Sequence, residues 1–98
     1  MIPKSLQPIL WSVDTAKLDL KRDEVYIIHQ VLAFGRSGDL KWLFSAYPKE
    51  KIRQVFLEHP EKNYIPASLN FVANFLLGLD GSMLDESKYV QNTPRNLG

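Results

Sequence analysis

The chain has no cysteine among its 98 residues. That absence excludes disulfide staples, thiolate nucleophiles and thiolate metal sites, and it fits a reducing cytoplasm. Histidine is nearly as scarce. A metal site needs several ligands that converge, and His29 and His59 have no histidine three or four residues away. Both are expected to be ordinary surface or interface side chains, with no metal and no cofactor. An excess of one charge is lacking too. Twelve Lys and Arg against eleven Asp and Glu leave a net charge of +1, so no global field draws the chain to nucleic acid or to an anionic membrane. Long apolar runs are also missing. The greasiest window, residues 69–79, is broken by Asn70, Asn74 and Gly78 and is too short to span a bilayer. Residues 1–5 lack the apolar core of a signal peptide. The expectation is a cytoplasmic protein with no membrane contact.

What is present is the material of one folded domain. Hydrophobic residues make up 45% of the chain and include five Phe, four Tyr and two Trp. A chain of this length buries roughly 65% of the surface its unfolded form exposes, enough for a core without staples. Apolar residues recur at helical spacing, and no sustained alternation of two suggests a strand. The fold class expected is all-α: a compact bundle of about four helices, an irregular N-terminal segment anchored by Trp11, and a flexible C-terminal tail. Residues 1–79 form the domain in this reading and residues 80–98 the tail, where Gly, Ser, Asp, Asn and Pro dissolve the pattern.

Local chemistry sets the expected boundaries. A short helical turn is expected at 5–10, limited by Pro8, and a turn or cap at Asp14 and Thr15. The first long helix is expected over 21–34, capped by Asp19, with Asp23 and Glu24 complementing its dipole and Gly35 closing it in the left-handed region. Val25, Ile28 and Leu32 form its stripe, joined by Ile27, Val31 and Phe34. After a turn at 35–38, a second helix is expected over 39–46, capped by Asp39 and burying Leu40, Leu43 and Phe44. Pro48 suits the first position of a third helix, which turns Ile52, Val55 and Phe56 inward and stops before Pro60. Pro66 opens a fourth, with Leu69, Val72, Phe75 and Leu76 inward and Gly78 as its stop.

No constellation in the chain points to catalysis. Asp14, Asp19, Asp23 and Glu24 are spaced as caps and first-turn dipole partners rather than as a carboxylate pair for acid–base work. The 35–38 segment is a turn, not a phosphate loop, and no Ser-His-Asp order is recognisable. Two binding readings remain. Trp42 and Tyr47 lie off the apolar stripes, as do Trp11, Tyr64 and Phe71. Trp42, Tyr47 and Tyr64 are the candidate contacts of a protein partner, since clustered exposed aromatics make interface hot spots. The rival reading is a helix-turn-helix DNA binder using Lys49, Lys51 and Arg53. Residues 36–62 carry six Lys and Arg against four Asp and Glu, a small excess for that role.

The segments Trp11-Ser12-Val13-Asp14, Leu18-Asp19, Tyr26-Ile27-Ile28 to Val31-Leu32, Leu40-Lys41-Trp42-Leu43 and Pro66 to Phe71 occur in this order. Together they resemble a family of small uncharacterised bacterial helical domains with a Trp-x-Val-Asp start and an Asn-Phe pair in the last helix. The resemblance covers residues 6–79. Members of that family are often encoded beside nucleotidyltransferases of the abortive-infection toxin type. The resemblance thus implies an antitoxin-like or accessory partner of a nucleotidyltransferase, with no catalytic residues; a homo-oligomer also fits. Two departures stand out. Residues 61–65 are less basic than the family pattern leads one to expect, and Val72 follows Phe71 where a bulky aromatic is expected.

Overall fold

The computed structural model describes residues 2–11, 13–79 and 84–90. Four α-helices lie among the described residues: α1 (Glu24–Phe34), α2 (Ser37–Ala46), α3 (Lys49–Glu58) and α4 (Pro66–Phe71). The last continues as a π-helical turn over Val72–Leu76. Short 3₁₀ turns at Lys4–Leu6, Thr15–Lys17 and Glu86–Lys88 complete the described elements. The all-α bundle expected from periodicity is the architecture observed.

Helix α1 is the central element. Six consecutive residues, Ile27 to Leu32, are buried, so the helix is enclosed on nearly every side rather than along one stripe. It packs against both α2 and α3. Its start is prepared by Asp19, whose Oδ1 accepts from the amides of Lys21 and Arg22 at 2.8 Å each. Asp23 Oδ2 returns the bond by accepting from the Asp19 amide at 2.9 Å. Asp19 therefore caps as expected, but regular α-helix begins at Glu24, three residues past the expected start. Asp14 likewise caps its 3₁₀ turn by accepting from the Ala16 amide at 3.0 Å.

Two glycines behave differently. Gly78 has φ +64°, the left-handed conformation expected of a helix stop. Gly35, expected to share it, is extended at φ −73°, ψ 153°. It is required for space instead: a Cβ there would lie 2.6 Å from the Val31 carbonyl oxygen. That tight exit lets α2 start at Ser37, earlier than expected. Asp39 is then not the cap but the third residue of α2, where its carboxylate accepts from the Arg36 amide at 2.9 Å.

The π turn changes which side chains face inward. The Leu77 amide donates to Val72 at 2.9 Å, five residues back. One extra residue per turn rotates the following positions outward. Leu77 thus takes the buried place expected of Leu76, and Phe75, expected in the core, is 79% exposed.

The N-terminal segment is anchored by Leu6 and Leu10, both buried, and by the Gln30 amide, which donates to the Ile9 carbonyl at 2.6 Å. Trp11, the expected anchor, lies against Phe34 with its ring centroid 5.2 Å away, yet it stays 60% exposed. At the other end, residues 84–90 fall in the region read from sequence as tail. They pack on the body. Tyr89 is buried, its hydroxyl donates to the Phe56 carbonyl at 2.7 Å, and its ring stacks on Phe56 at 4.7 Å. The Tyr64 amide donates to the Tyr89 carbonyl at 3.0 Å, beside a parallel bridge between Tyr64 and Val90. The rest of the expected tail, 80–83 and 91–98, lies outside the described residues.

Candidate interaction surface

The aromatic and basic residues singled out from sequence separate cleanly once their environments are known. Tyr64 is fully buried, and its hydroxyl lies 2.8 Å from Nδ1 of His29, also fully buried. His29 Nε2 lies 2.7 Å from the His59 carbonyl. A carbonyl only accepts, so Nε2 carries the proton and Nδ1 accepts from the Tyr64 hydroxyl. Burial, ahead of every other influence, holds the His29 pKa down to about 4 and pushes that of Tyr64 up. This pair is a satisfied core contact. Tyr64 is therefore withdrawn from the partner surface, and His29 is not the surface histidine expected. His59 is exposed, as expected, and serves through its backbone.

Tyr47 is also buried. Its hydroxyl donates to the Leu20 carbonyl at 2.6 Å and pins the α2–α3 corner to the turn before α1. Burial, reinforced by the nearby carboxylates of Glu24, Asp19 and Asp23, pushes its pKa up. Tyr47 is thus a structural clamp and not a free contact. Trp42 is half-buried and packed against the core, which leaves only part of its ring to meet a partner.

The basic trio does not form one face. Lys49 and Arg53, four apart on α3, are exposed, whereas Lys51 turns toward α1 and pairs with Glu24 at 3.1 Å. A recognition helix must present its cations together. Here the middle one is taken up in a partly exposed pair with Glu24, and the corner at Tyr47 and Pro48 is held by the tyrosine clamp.

Two of the concavities among the described residues are strongly apolar. A cleft of about 640 Å³ lies between residues 20–24 and the α2–α3 corner, walled by Leu20, Ala46, Pro48 and the Tyr47 ring. Of its polar groups, Tyr47 is engaged with Leu20 and Lys51 with Glu24. The second is a groove of about 350 Å³ between α2 and α4, lined by Ser37, Leu40, Lys41, Phe44, Phe71 and Leu76. Leu40 and Phe44 are one turn apart on α2 and only half-buried. Across from them, Phe71 is 47% exposed and stacks on Phe75, with centroids 5.8 Å apart and planes 29° from parallel. Among the described residues, no group of three or more His, Asp or Glu is placed to hold a metal ion. No helix among them is long and apolar enough to cross a membrane.

The segment that forms the N-terminal turns and helices α1 to α3 decides the family. Residues 6–56 match a family of unknown function, DUF6922. The chain belongs to this family. No curated protein and no solved structure matches the chain. The DUF6922 segment contains the α2 wall of the groove, Leu40 and Phe44, while the opposite wall, Phe71 and Leu76, lies beyond it.

Sequence reasoning placed Phe75 in the core and left Phe71 unassigned. One signal was available. Residues 66–79 contain no charged side chain, and their apolar residues are too many for a single stripe. A surplus of that kind on a peripheral helix indicates a second apolar face.

Proposed function

We propose that this chain is a non-enzymatic protein-interaction module that docks a partner protein on the α2–α4 face. The observation that carries the reading is the exposed Phe71–Phe75 stack beside an apolar groove. Taking ~200 Å² per aromatic side chain, the two rings leave about 250 Å² of apolar surface in water. With the half-buried groove walls added, this reaches the size of patch that marks an interaction site. Phe75 replaces the tyrosines as the expected hot spot, and Trp42 does not line this groove.

The resemblance noted above names the partner class: a nucleotidyltransferase of the abortive-infection toxin type in a bacterial cytoplasm, with this chain as its antitoxin-like or accessory partner. The test is an affinity capture from the native host with the wild-type chain and with Phe75→Glu, washed at high salt after nuclease treatment. A nucleotidyltransferase retained by the wild type and lost from the variant supports the reading. Identical eluates from the two chains would remove the α2–α4 face from it.

A further inference from the structure

Phe75 and the groove share one wall. Phe75 protrudes from the π turn and stacks on Phe71, and Phe71 in turn closes the groove formed with Leu40, Phe44 and Leu76. A knob and a hole side by side on one face are self-complementary, because a twofold axis places each knob in the other copy's hole. The dimensions agree. A cavity of ~150 Å³ holds a benzene ring, so a groove of about 350 Å³ admits the Phe75 ring of a second copy.

Charge points to the same occupant. Residues 66–79 carry none, Lys41 is the one charged side chain among the described residues that line the groove, and the whole chain is at +1. Such a face sets few like charges against each other when two copies meet. Contacts between like chains are among the more apolar interfaces, and a net charge of +1 puts little repulsion between two copies. The exposed aromatic area, about 250 Å² per copy at ~200 Å² per ring, sets the scale of the contact. Added to the groove walls, it corresponds to a small, reversible dimer rather than an obligate one.

We infer that the α2–α4 face pairs with the same face of a second copy, the Phe75 of each chain entering the other's groove. Self-association and docking of a foreign protein then compete for one surface. The inference rests on the proposed function in taking this face as the contact surface.

The test is sedimentation equilibrium of the full chain from micromolar to millimolar concentration, for the wild type and Phe75→Glu. The expected result is a wild-type mass rising from 11.3 kDa toward twice that value. The variant should have a dissociation constant at least ~30-fold higher, with unchanged far-UV circular dichroism. In a half-labelled sample, isotope-filtered nuclear Overhauser effects should join the Phe75 ring to the Leu40 and Leu76 methyls of the other copy. A wild type monomeric at millimolar concentration, a dimer that survives Phe75→Glu, or a dimer without those intermolecular signals would each overturn the pairing. The two readings fail separately. A monomeric wild type that captures a nucleotidyltransferase through Phe75 overturns the pairing alone, whereas a Phe75-dependent dimer with no such capture overturns the proposed partner alone.

Discussion

His29 and Tyr64, separated by 35 positions in the chain, meet in the core through a 2.8 Å hydrogen bond that joins α1 to the segment before α4. The Tyr64 amide extends the connection to Tyr89, and the Tyr89 hydroxyl extends it to α3 at Phe56. One line of buried polar groups and stacked rings thus ties the centre of the bundle to its C-terminal part.

Acid should weaken the fold through His29. Its folded pKa of about 4 lies below the ordinary 6.5 because burial disfavours the charged ring. The unfolded chain then binds the extra proton first as pH falls. Stability is complete above pH 6.5 and declines between there and pH 4, by about 3 kcal/mol if the full shift is expressed. The lowered carboxyls of Asp19, Asp23 and Asp85 act only below their ordinary 3.8 and do not overlap this window. Urea denaturation at a series of pH values should give that slope for the wild type. His29→Gln, which keeps a donor and an acceptor but cannot titrate, should give a nearly flat line.

Removing the hydroxyl of Tyr64 leaves His29 Nδ1 buried without a donor. Tyr64→Phe should therefore cost about 1–3 kcal/mol, measured by the same denaturation at pH 7. A cost near zero would mean that water reaches the ring.

Tyr89→Ala removes a ring stacked on Phe56 and the bond to its carbonyl, and should cost about 3 kcal/mol. Residues 84–90 should become open to protease while α1 to α3 keep their amide protection. Equal exposure of both regions would show that the segment is not a separate attachment.

Three glycines should respond to alanine in three ways. Gly35→Ala drives a Cβ to 2.6 Å from the Val31 oxygen and should cost about 1–3 kcal/mol. Gly78→Ala forces a side chain to φ +64° and should cost about 1 kcal/mol. Gly38 lies within α2 and its Cβ would meet nothing within 4 Å, so Gly38→Ala should stabilise by about 0.5–1 kcal/mol. Thermal melts of the three variants check the order.

Duplex DNA should not bind measurably, since Lys51 is turned to Glu24 and leaves Lys49 and Arg53 without it. A gel shift at low salt that disappears with Lys49→Glu and Arg53→Glu would reverse this conclusion.

The sequence alone determined the elements whose signals are local. Helical periodicity placed four helices, Asp14 and Asp19 declared their caps through side chains that reach amides two or three residues away, and Pro66 and Gly78 marked the limits of the last helical stretch. These contacts need only neighbours along the chain. What depends on distant neighbours was not legible. His29 and Tyr64 read as surface polar groups until the fold supplied each with the other, and Tyr47 read as a free contact until Leu20 offered its carbonyl. A π turn at 72–76 exchanged Leu76 for Leu77 inside and moved Phe75 outside. Burial of a polar ring is decided by partners far away in sequence, and a one-residue shift in helical phase is decided by packing. The candidate surface depends on both, so only the tertiary structure located it.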